Sequence, residues 1–161
     1  MANERQVLAG TRVVDIDEME LSEIAAVLQR AGYGHLGLAS GDQPYVLPIH
    51  YVYDPPEIYI YTTQGMKTEV LSRNPAVCLQ AEEVRDVHNW TSVIATGRAE
   101  LLTDPGEREK AAKLITLTNP SHTPAISRVV TGGSERRNVV EIYKIRIDHM
   151  SGRKTRRTAR D

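Results

Sequence analysis

The sequence is poor in cysteine and in aromatic residues. Its 161 residues contain no Phe, a single Trp, seven Tyr and one Cys. One cysteine excludes an internal disulfide framework and fits a reducing compartment. Cys78 lies among Ala76, Val77 and Leu79, so we interpret it as a buried strand residue rather than a nucleophile.

Charge and hydropathy also exclude several classes of protein. The chain has 20 Lys and Arg against 21 Asp and Glu, a formal net charge of -1. A balance so close to neutral creates no global field that would attract nucleic acid or an acidic membrane. No run approaches the ~20 apolar residues of a membrane span, and Met1–Gly10 has no apolar core of a signal peptide. We therefore expect a soluble, cytoplasmic protein.

The most informative stretch is Ile58–Lys67, which predicts a buried strand that passes directly into a helix. The strand ends in two hydroxyls, Thr62 and Thr63, and these are followed by Gly65 and Lys67. Hydroxyl donors, a glycine turn, free N–H groups at a helix start and one cation are the groups that bind a phosphate monoester. The alternative is a plain strand–helix connection with a solvated lysine. The stretch is neither a Walker loop nor a dinucleotide fingerprint.

The remaining periodicity predicts a mainly β protein with peripheral α-helices, in one domain that covers residues 1–161. Helices are expected at 18–31 and 66–73, and a third should begin at Asp104-Pro105. Strands are expected at 35–39, 45–53, 57–62, 76–81, 91–102 and 139–148. Residues 1–14 form an N-terminal arm, 82–89 a loop and 151–161 a basic C-terminal tail, whereas 118–137 shows no firm pattern. Antiparallel strands with helices inserted between them favour a β-barrel.

Two further segments could line a pocket. Pro48 removes a ladder donor from its strand, which is typical of an edge or a bulge whose backbone can turn toward a ligand. His50 could stack on a ring, although a lone histidine in a strand is more often structural. Trp90 is either a core residue or the aromatic wall of a pocket, and Ser92 follows it at the start of a strand.

A resemblance to a known family rests on four motifs that follow one another along the sequence. They are Pro-x-x-x-Pro-Ile-x-Tyr at 44–51, Tyr-x-Thr-x-Gly-x-Lys at 61–67, Asn-Pro-x-Val-Cys at 74–78, and Trp-x-Ser-Val-x-x-x-Gly-Arg-Ala from Trp90. The sequence over roughly residues 20–150 resembles the pyridoxamine 5'-phosphate oxidase-like FMN-binding flavoproteins, and most closely the Nim-type (nitroimidazole-reductase-like) branch. This resemblance implies a split β-barrel, Greek-key-like and antiparallel, that forms a homodimer with one FMN in each of two interfacial clefts.

The resemblance also implies roles for individual residues. The backbone of Pro48, Ile49 and His50 would line the isoalloxazine ring. The phosphate would be held by a second group, which consists of Thr62, Thr63, Gly65 and Lys67. Trp90 and Ser92 would reach the cofactor from a neighbouring strand or from the partner subunit. The chain departs from many Nim-type members by having Thr62-Thr63 in place of a histidine and a serine, and Met66 in place of an arginine.

The function expected from these features is that of an FMN-dependent oxidoreductase. The flavin would carry hydride at N5 to a small organic substrate, so no dedicated acid or base needs to be visible. His50 is the one weak candidate for a catalytic residue. Two alternatives remain open: a deazaflavin-dependent reductase, and a non-catalytic flavin or heme binding protein with His50, His88 or His122 as an iron ligand. The five histidines show no metal-ligand spacing, so no structural metal is expected.

The one basic run lies near the end of the sequence. It comprises Arg153–Arg157 and Arg160. We interpret it as a solvated tail, because nucleic-acid binding segments usually interleave aromatic residues that this run lacks.

Overall fold

The computed structural model describes residues 14–119 and 140–156. Within them it contains seven β-strands and three α-helices. In chain order the elements are β1 (Ile16–Glu18), α1 (Leu21–Ala31), β2 (Tyr33–Ser40), β3 (Gln43–Asp54), β4 (Glu57–Thr63), α2 (Met66–Arg73), β5 (Ala76–Asp86), β6 (Asn89–Leu101), α3 (Pro105–Thr118) and β7 (Val140–Thr155).

The strands form one antiparallel sheet that closes into a barrel. Its order is β1-β7-β4-β3-β2-β5-β6, and β6 pairs with β7 to complete the ring. Closure pairs the strand edges that an open sheet would leave exposed. The mainly β barrel with peripheral helices predicted from the sequence is therefore confirmed.

The ring is incomplete between β3 and β4, which makes it a split barrel. These two strands pair only from Tyr51↔Ile60 to Asp54↔Glu57. Before Tyr51, β3 pairs with β2 alone among the described residues, and after Ile60, β4 pairs only with β7. The two strands therefore diverge on one side of the barrel, next to the point where α2 begins.

The barrel interior is filled by aliphatic side chains and capped by two helices. Alternate residues of each strand point inward, such as Leu36, Ile60 and Leu79, which are at most 1% exposed. Helix α1 contributes Leu28 to this core and touches β3, β5, β6 and β7. Helix α2 contributes Leu71 and contacts β2. Helix α3 instead covers part of the outer surface, where it forms a second apolar cluster with β3, β4 and β7.

Gly97 allows β6 and β7 to come close together at an irregularity in their register. A Cβ at this position would lie 2.1 Å from the carbonyl oxygen of Arg146. The register of the pair shifts between Thr96 and Gly97. Bulges of this kind increase local twist and help a sheet to curve into a barrel.

Three boundaries predicted from the sequence are wrong. The first helix was expected from residue 18 but begins at Leu21, since Glu18 is the last residue of β1. The expected loop at 82–89 is mostly strand, since β5 continues to Asp86 and β6 begins at Asn89. The residues there are mostly acidic and polar because that part of the hairpin faces solvent on both sides. They therefore lack the apolar alternation by which a strand is predicted. The last strand was expected at 139–148 but extends to Thr155, where it pairs with β6 and with the short β1.

The basic run near the end of the chain is largely neutralised where the structure describes it. Arg153 forms an ion pair with Glu18, and Lys154 with Glu23. Arg156 contacts Asp17 through two hydrogen bonds, of 2.6 and 3.0 Å. The interpretation of these three residues as a solvated tail is therefore wrong. Arg157 and Arg160 lie outside the described residues, as do residues 1–13 of the expected arm.

None of the helices in the described part of the chain is both long and apolar enough to cross a membrane.

Candidate functional site

Helix α2 begins directly after β4 without a side chain that caps its first N–H groups. The residue before it, Gly65, has φ 166 and ψ -158, an extended backbone that any residue can adopt. A Cβ on Gly65 would meet no atom within 4 Å. The hydroxyl of Thr68 accepts a hydrogen bond from the Gly65 N–H at 3.0 Å, which fixes the turn. The helix start thus leaves N–H donors and open space together, as an anion site requires.

Lys67 is a half-buried cation in the first turn of this helix. Burial alone lowers the pKa of its ammonium group from the usual value. The lysine makes no hydrogen bond or ion pair with any other residue that the structure describes. An ammonium group that loses water without gaining a counter-charge is destabilised, and a bound anion would remove that penalty.

The two threonines before the helix differ in their surroundings. Thr62 is 5% exposed, and its hydroxyl donates to the carbonyl oxygen of Thr63 at 3.2 Å. Thr63 is half-buried and pairs with Val140 on β7. Of the two hydroxyls, that of Thr63 makes no hydrogen bond within the described residues.

Pro48 lies on the open side of the split. It pairs with His35 of β2, whereas its other side has no strand neighbour among the described residues. The sequence-based expectation of an edge position is confirmed, because a residue without an N–H can occupy that side without breaking a ladder. Ile49 next to it is 7% exposed with its side chain in the core, so only its backbone could reach a ligand.

Several predicted residues lie together on the uncovered outward surface of β2, β3, β5 and β6. We call this surface the outer face. One row across the four strands is Pro48, His35, Gln80 and Ile94, each paired with the next. The parallel row on one side is Val46, Gly37, Cys78 and Thr96. The row on the other side contains the pairs His50↔Tyr33 and Glu82↔Ser92. Pro48, His50 and Ser92 therefore share one face of the barrel.

A chain of polar contacts joins the middle of the outer face to Ser92. The Nδ1 atom of His35 lies 3.2 Å from Oε1 of Gln80. The amide nitrogen of Gln80 donates to Ser92 Oγ at 3.2 Å and to Glu82 at 3.0 Å. Sequence reasoning missed His35 and Gln80. The alternation of His35 and Gly37 with Leu36 and Leu38 would have placed His35 on the same face as Pro48.

His50 lies beside Tyr33 rather than next to another histidine. The two rings are 5.0 Å apart between centroids and are tilted by 58°. His88, a candidate iron ligand, is exposed in the β5–β6 turn, and His122 lies outside the described residues. No group of three or more metal-ligating side chains occurs in the part of the chain that the structure describes.

Trp90 is far from Lys67 within a single chain. Thr63, beside α2, pairs with Val140 of β7, whereas Thr91, next to Trp90, pairs with Lys154 of the same strand. These two points lie near opposite ends of β7. Within one protomer, Trp90 and the α2 start are therefore beside opposite ends of the same strand.

Comparison with known proteins places this architecture in a family. The family model for pyridoxamine 5'-phosphate oxidase matches residues 20–154. The chain belongs to the pyridoxamine 5'-phosphate oxidase family, in agreement with the resemblance found in the sequence.

Individual proteins of known structure share the fold. The chain is similar to an FAD-binding protein from Mesorhizobium loti, with 26% identity, a TM-score of 0.69, and coverage of 86% of this chain and 97% of the other. It also resembles a protein from Bacteroides thetaiotaomicron described as a 5-nitroimidazole antibiotic resistance protein, with 21% identity, a TM-score of 0.69, and coverage of 89% and 90%. The second likeness supports the fold alone.

A curated relative, the uncharacterized protein RA0666 of Rhizobium meliloti (strain 1021), is 32% identical over 84 residues. That alignment covers 52% of this chain and 56% of the relative. The chain therefore spans about half the length of the curated relative it matches.

Proposed function

We propose that this protein is an FMN-binding flavoprotein that acts as a homodimer and reduces a small organic substrate. The observation that carries the proposal is Lys67, a half-buried cation with no partner among the described residues, in the first turn of an uncapped helix beside the split of the barrel. Membership of the pyridoxamine 5'-phosphate oxidase family supports a flavin as the anion-bearing ligand.

The residues at the α2 start fit a phosphate group. Lys67 would contribute charge, Thr63 a hydroxyl donor, and the first turn of α2 its N–H groups. Gly65 would leave the space in which the phosphate approaches the backbone, because no atom lies within 4 Å of the position of its missing Cβ. Thr62 would act mainly through its backbone and its contact with Thr63, since its hydroxyl is buried.

The residues of β3 fit the ring of the same cofactor. Pro48, Ile49 and His50 run along the open edge of the split, where they pair with β2 on one side and have no paired strand among the described residues on the side of β4. A bound flavin would supply hydride transfer, and the protein would hold the substrate over the ring and exclude water. His50, with Tyr33 beside it, is the candidate to hold or deliver a proton at the edge of this site.

The outer face supports a homodimer in which each cofactor contacts both subunits. Its exposed apolar side chains include Val46, which is 65% exposed, Tyr33, which is 46% exposed, and Ile94, which is 42% exposed. Exposed apolar patches mark interaction surfaces, and soluble homo-oligomers most often associate about a two-fold axis. Trp90 lies near the end of β7 opposite to Lys67 in its own chain, so it would complete the site of the partner. Ser92, which shares the outer face, would reach a cofactor held between the two subunits.

Replacing Lys67 tests the phosphate site directly. We expect Lys67→Ala to weaken FMN binding by about 1–3 kcal/mol, the free energy of a lost charge-assisted hydrogen bond. The measurement is isothermal titration of the apo protein with FMN. The matched control is Lys110→Ala, which removes an exposed lysine from α3 and should leave the affinity unchanged. Equal affinities for wild type and Lys67→Ala would show that the lysine does not contact the cofactor.

The absorption spectrum of the purified protein distinguishes the cofactor classes. Two flavin bands, present on purification or after addition of FMN, support the proposal. A Soret band would support heme, and uptake of a deazaflavin but not of FMN would support the deazaflavin alternative. A colourless protein that takes up no added FMN would refute FMN binding.

A further inference from the structure

The β5–β6 turn contains a cavity that the proposed phosphate site does not use. Its volume is about 210 Å³, and its lining consists of Glu83, Arg85, Asn89, Trp90 and Thr91. The cavity is smaller than the roughly 300–1,000 Å³ of pockets that enclose a whole drug-sized ligand. It therefore encloses only part of a larger ligand, such as one ring system, and the rest of the ligand would extend over the exposed surface of the hairpin.

A β-bulge places the cation of this cavity. Val84 pairs with Trp90, whereas Asp86 pairs with Asn89. Arg85 is therefore an extra residue on β5 that has no paired residue on β6. Bulges are frequent next to binding sites because they redirect a side chain out of the regular alternation. The guanidinium of Arg85 makes no hydrogen bond to any other residue in the described part of the chain.

The carboxylate that faces Arg85 is already neutralised by another arginine. Glu83 accepts two hydrogen bonds from Arg30, at 2.9 and 3.0 Å. These bonds hold the pKa of the Glu83 carboxyl below its usual value, and the charge of Arg85 adds to the effect. Arg85 is thus not needed to balance Glu83, and its five N–H donors remain available for an anion such as phosphate.

The other walls of the cavity supply an aromatic plane and an unused side-chain amide. Trp90 is partly exposed, and its backbone N–H is anchored to Thr155 Oγ1 at 3.1 Å. The side-chain amide of Asn89 makes no hydrogen bond to another described residue. It therefore remains able to form hydrogen bonds with a ligand in the cavity.

We propose that this cavity binds a purine nucleoside monophosphate group. The base stacks on Trp90, the amide of Asn89 reads its polar edge, and Arg85 contacts the phosphate. Glu83 is placed to accept hydrogen bonds from the ribose hydroxyls. The group is either a free nucleotide or the adenylate half of a dinucleotide such as FAD. The dinucleotide case rests on the proposed flavin function and keeps Trp90 in the flavin site. In the free-nucleotide case Trp90 stacks on the base instead and is not a contact of the partner's FMN.

The test uses the fact that Trp90 is the only tryptophan of the chain. The full-length apo protein is titrated with AMP while the fluorescence of Trp90 is recorded. We expect saturable quenching, and at least a tenfold loss of affinity in Arg85→Ala. The matched control is Arg73→Ala, an exposed arginine just before the opposite end of β5, which should bind AMP like the wild type.

Two further probes decide between the possible ligands. Any one of three results refutes the purine site. The first is that AMP gives no saturable quenching, and the second is that ribose 5-phosphate binds as tightly as AMP. The third is that Arg85→Ala and Arg73→Ala weaken AMP binding equally. FMN and FAD titrations then identify the source of the group. A preference for FAD that Arg85→Ala abolishes assigns the site to the dinucleotide, whereas AMP binding with equal FMN and FAD affinities assigns it to a free nucleotide. AMP binding is measured without flavin, so its result tests this cavity alone. The effect of Lys67→Ala on FMN affinity tests the proposed flavin function separately.

Discussion

At the scale of single residues, Lys67 carries a cost in stability that only a ligand can offset. Its ammonium group is half-buried and has no counter-charge among the described residues, and burial lowers its pKa. A folded-state pKa below the unfolded value means that the charged lysine disfavours folding at neutral pH. The penalty disappears as the pH rises through the interval between the lowered pKa and the usual 10.5.

We therefore expect Lys67→Met to stabilise the apo protein while it weakens anion binding. The gain at pH 7 should be on the order of 0.5–1 kcal/mol, small because the lysine keeps partial contact with water. It should shrink as the pH approaches 10.5. Urea unfolding of both proteins at pH 7, 9 and 10.5 checks this expectation. A loss of stability at pH 7 would mean that Lys67 has a structural partner, and it would argue against a binding role.

At the scale of the elements, the barrel depends on a close approach of β6 and β7 at Gly97. A methyl group there would lie 2.1 Å from the Arg146 carbonyl oxygen, and backbone cannot move aside as a flexible side chain can. We expect Gly97→Ala to lower the free energy of unfolding by about 2–4 kcal/mol. Chemical denaturation provides the measurement. Gly65→Ala is the control for stability, because its added Cβ meets no atom within 4 Å and its backbone is extended. Similar losses in both variants would contradict the steric explanation.

At the scale of the whole molecule, the outer face should determine the oligomeric state. We expect Ile94→Lys to shift the protein from dimer to monomer at micromolar concentration, because a charge would be buried in an apolar interface. Sedimentation velocity measures the change, and FMN affinity should fall with it, since each proposed site would take groups from both subunits. Leu117→Lys on α3 is the matched control, an 82% exposed leucine that lies outside the outer face. A wild-type protein that sediments as a monomer with full FMN binding would refute the proposed dimer.

The sequence determined the class of fold because burial has a readable period. Alternation such as Leu36 and Leu38 between polar or small neighbours predicted barrel strands. The helix predicted at 66–73 has its observed bounds, and the helix predicted at 18–31 ends as predicted but begins only at Leu21. It also located Lys67 and Pro48, whose local chemistry is visible in a few consecutive residues. The predicted loop at 82–89 and the end of the last strand were wrong, because residues with polar side chains can form strands when long-range pairing supplies their hydrogen bonds.

Only the tertiary structure decided which of these residues meet. Pro48, His35, Gln80 and Ile94 form one row through pairings between strands that are distant in sequence, and no local pattern specifies such a register. The same pairings separate Trp90 from Lys67 within one chain and place Arg85 on a bulge. The sequence thus named the groups that could bind a phosphate, because donors, charge and helix starts are local properties. Where these groups lie relative to Pro48, Trp90 and the other strands depends on barrel closure, which is a property of the whole chain.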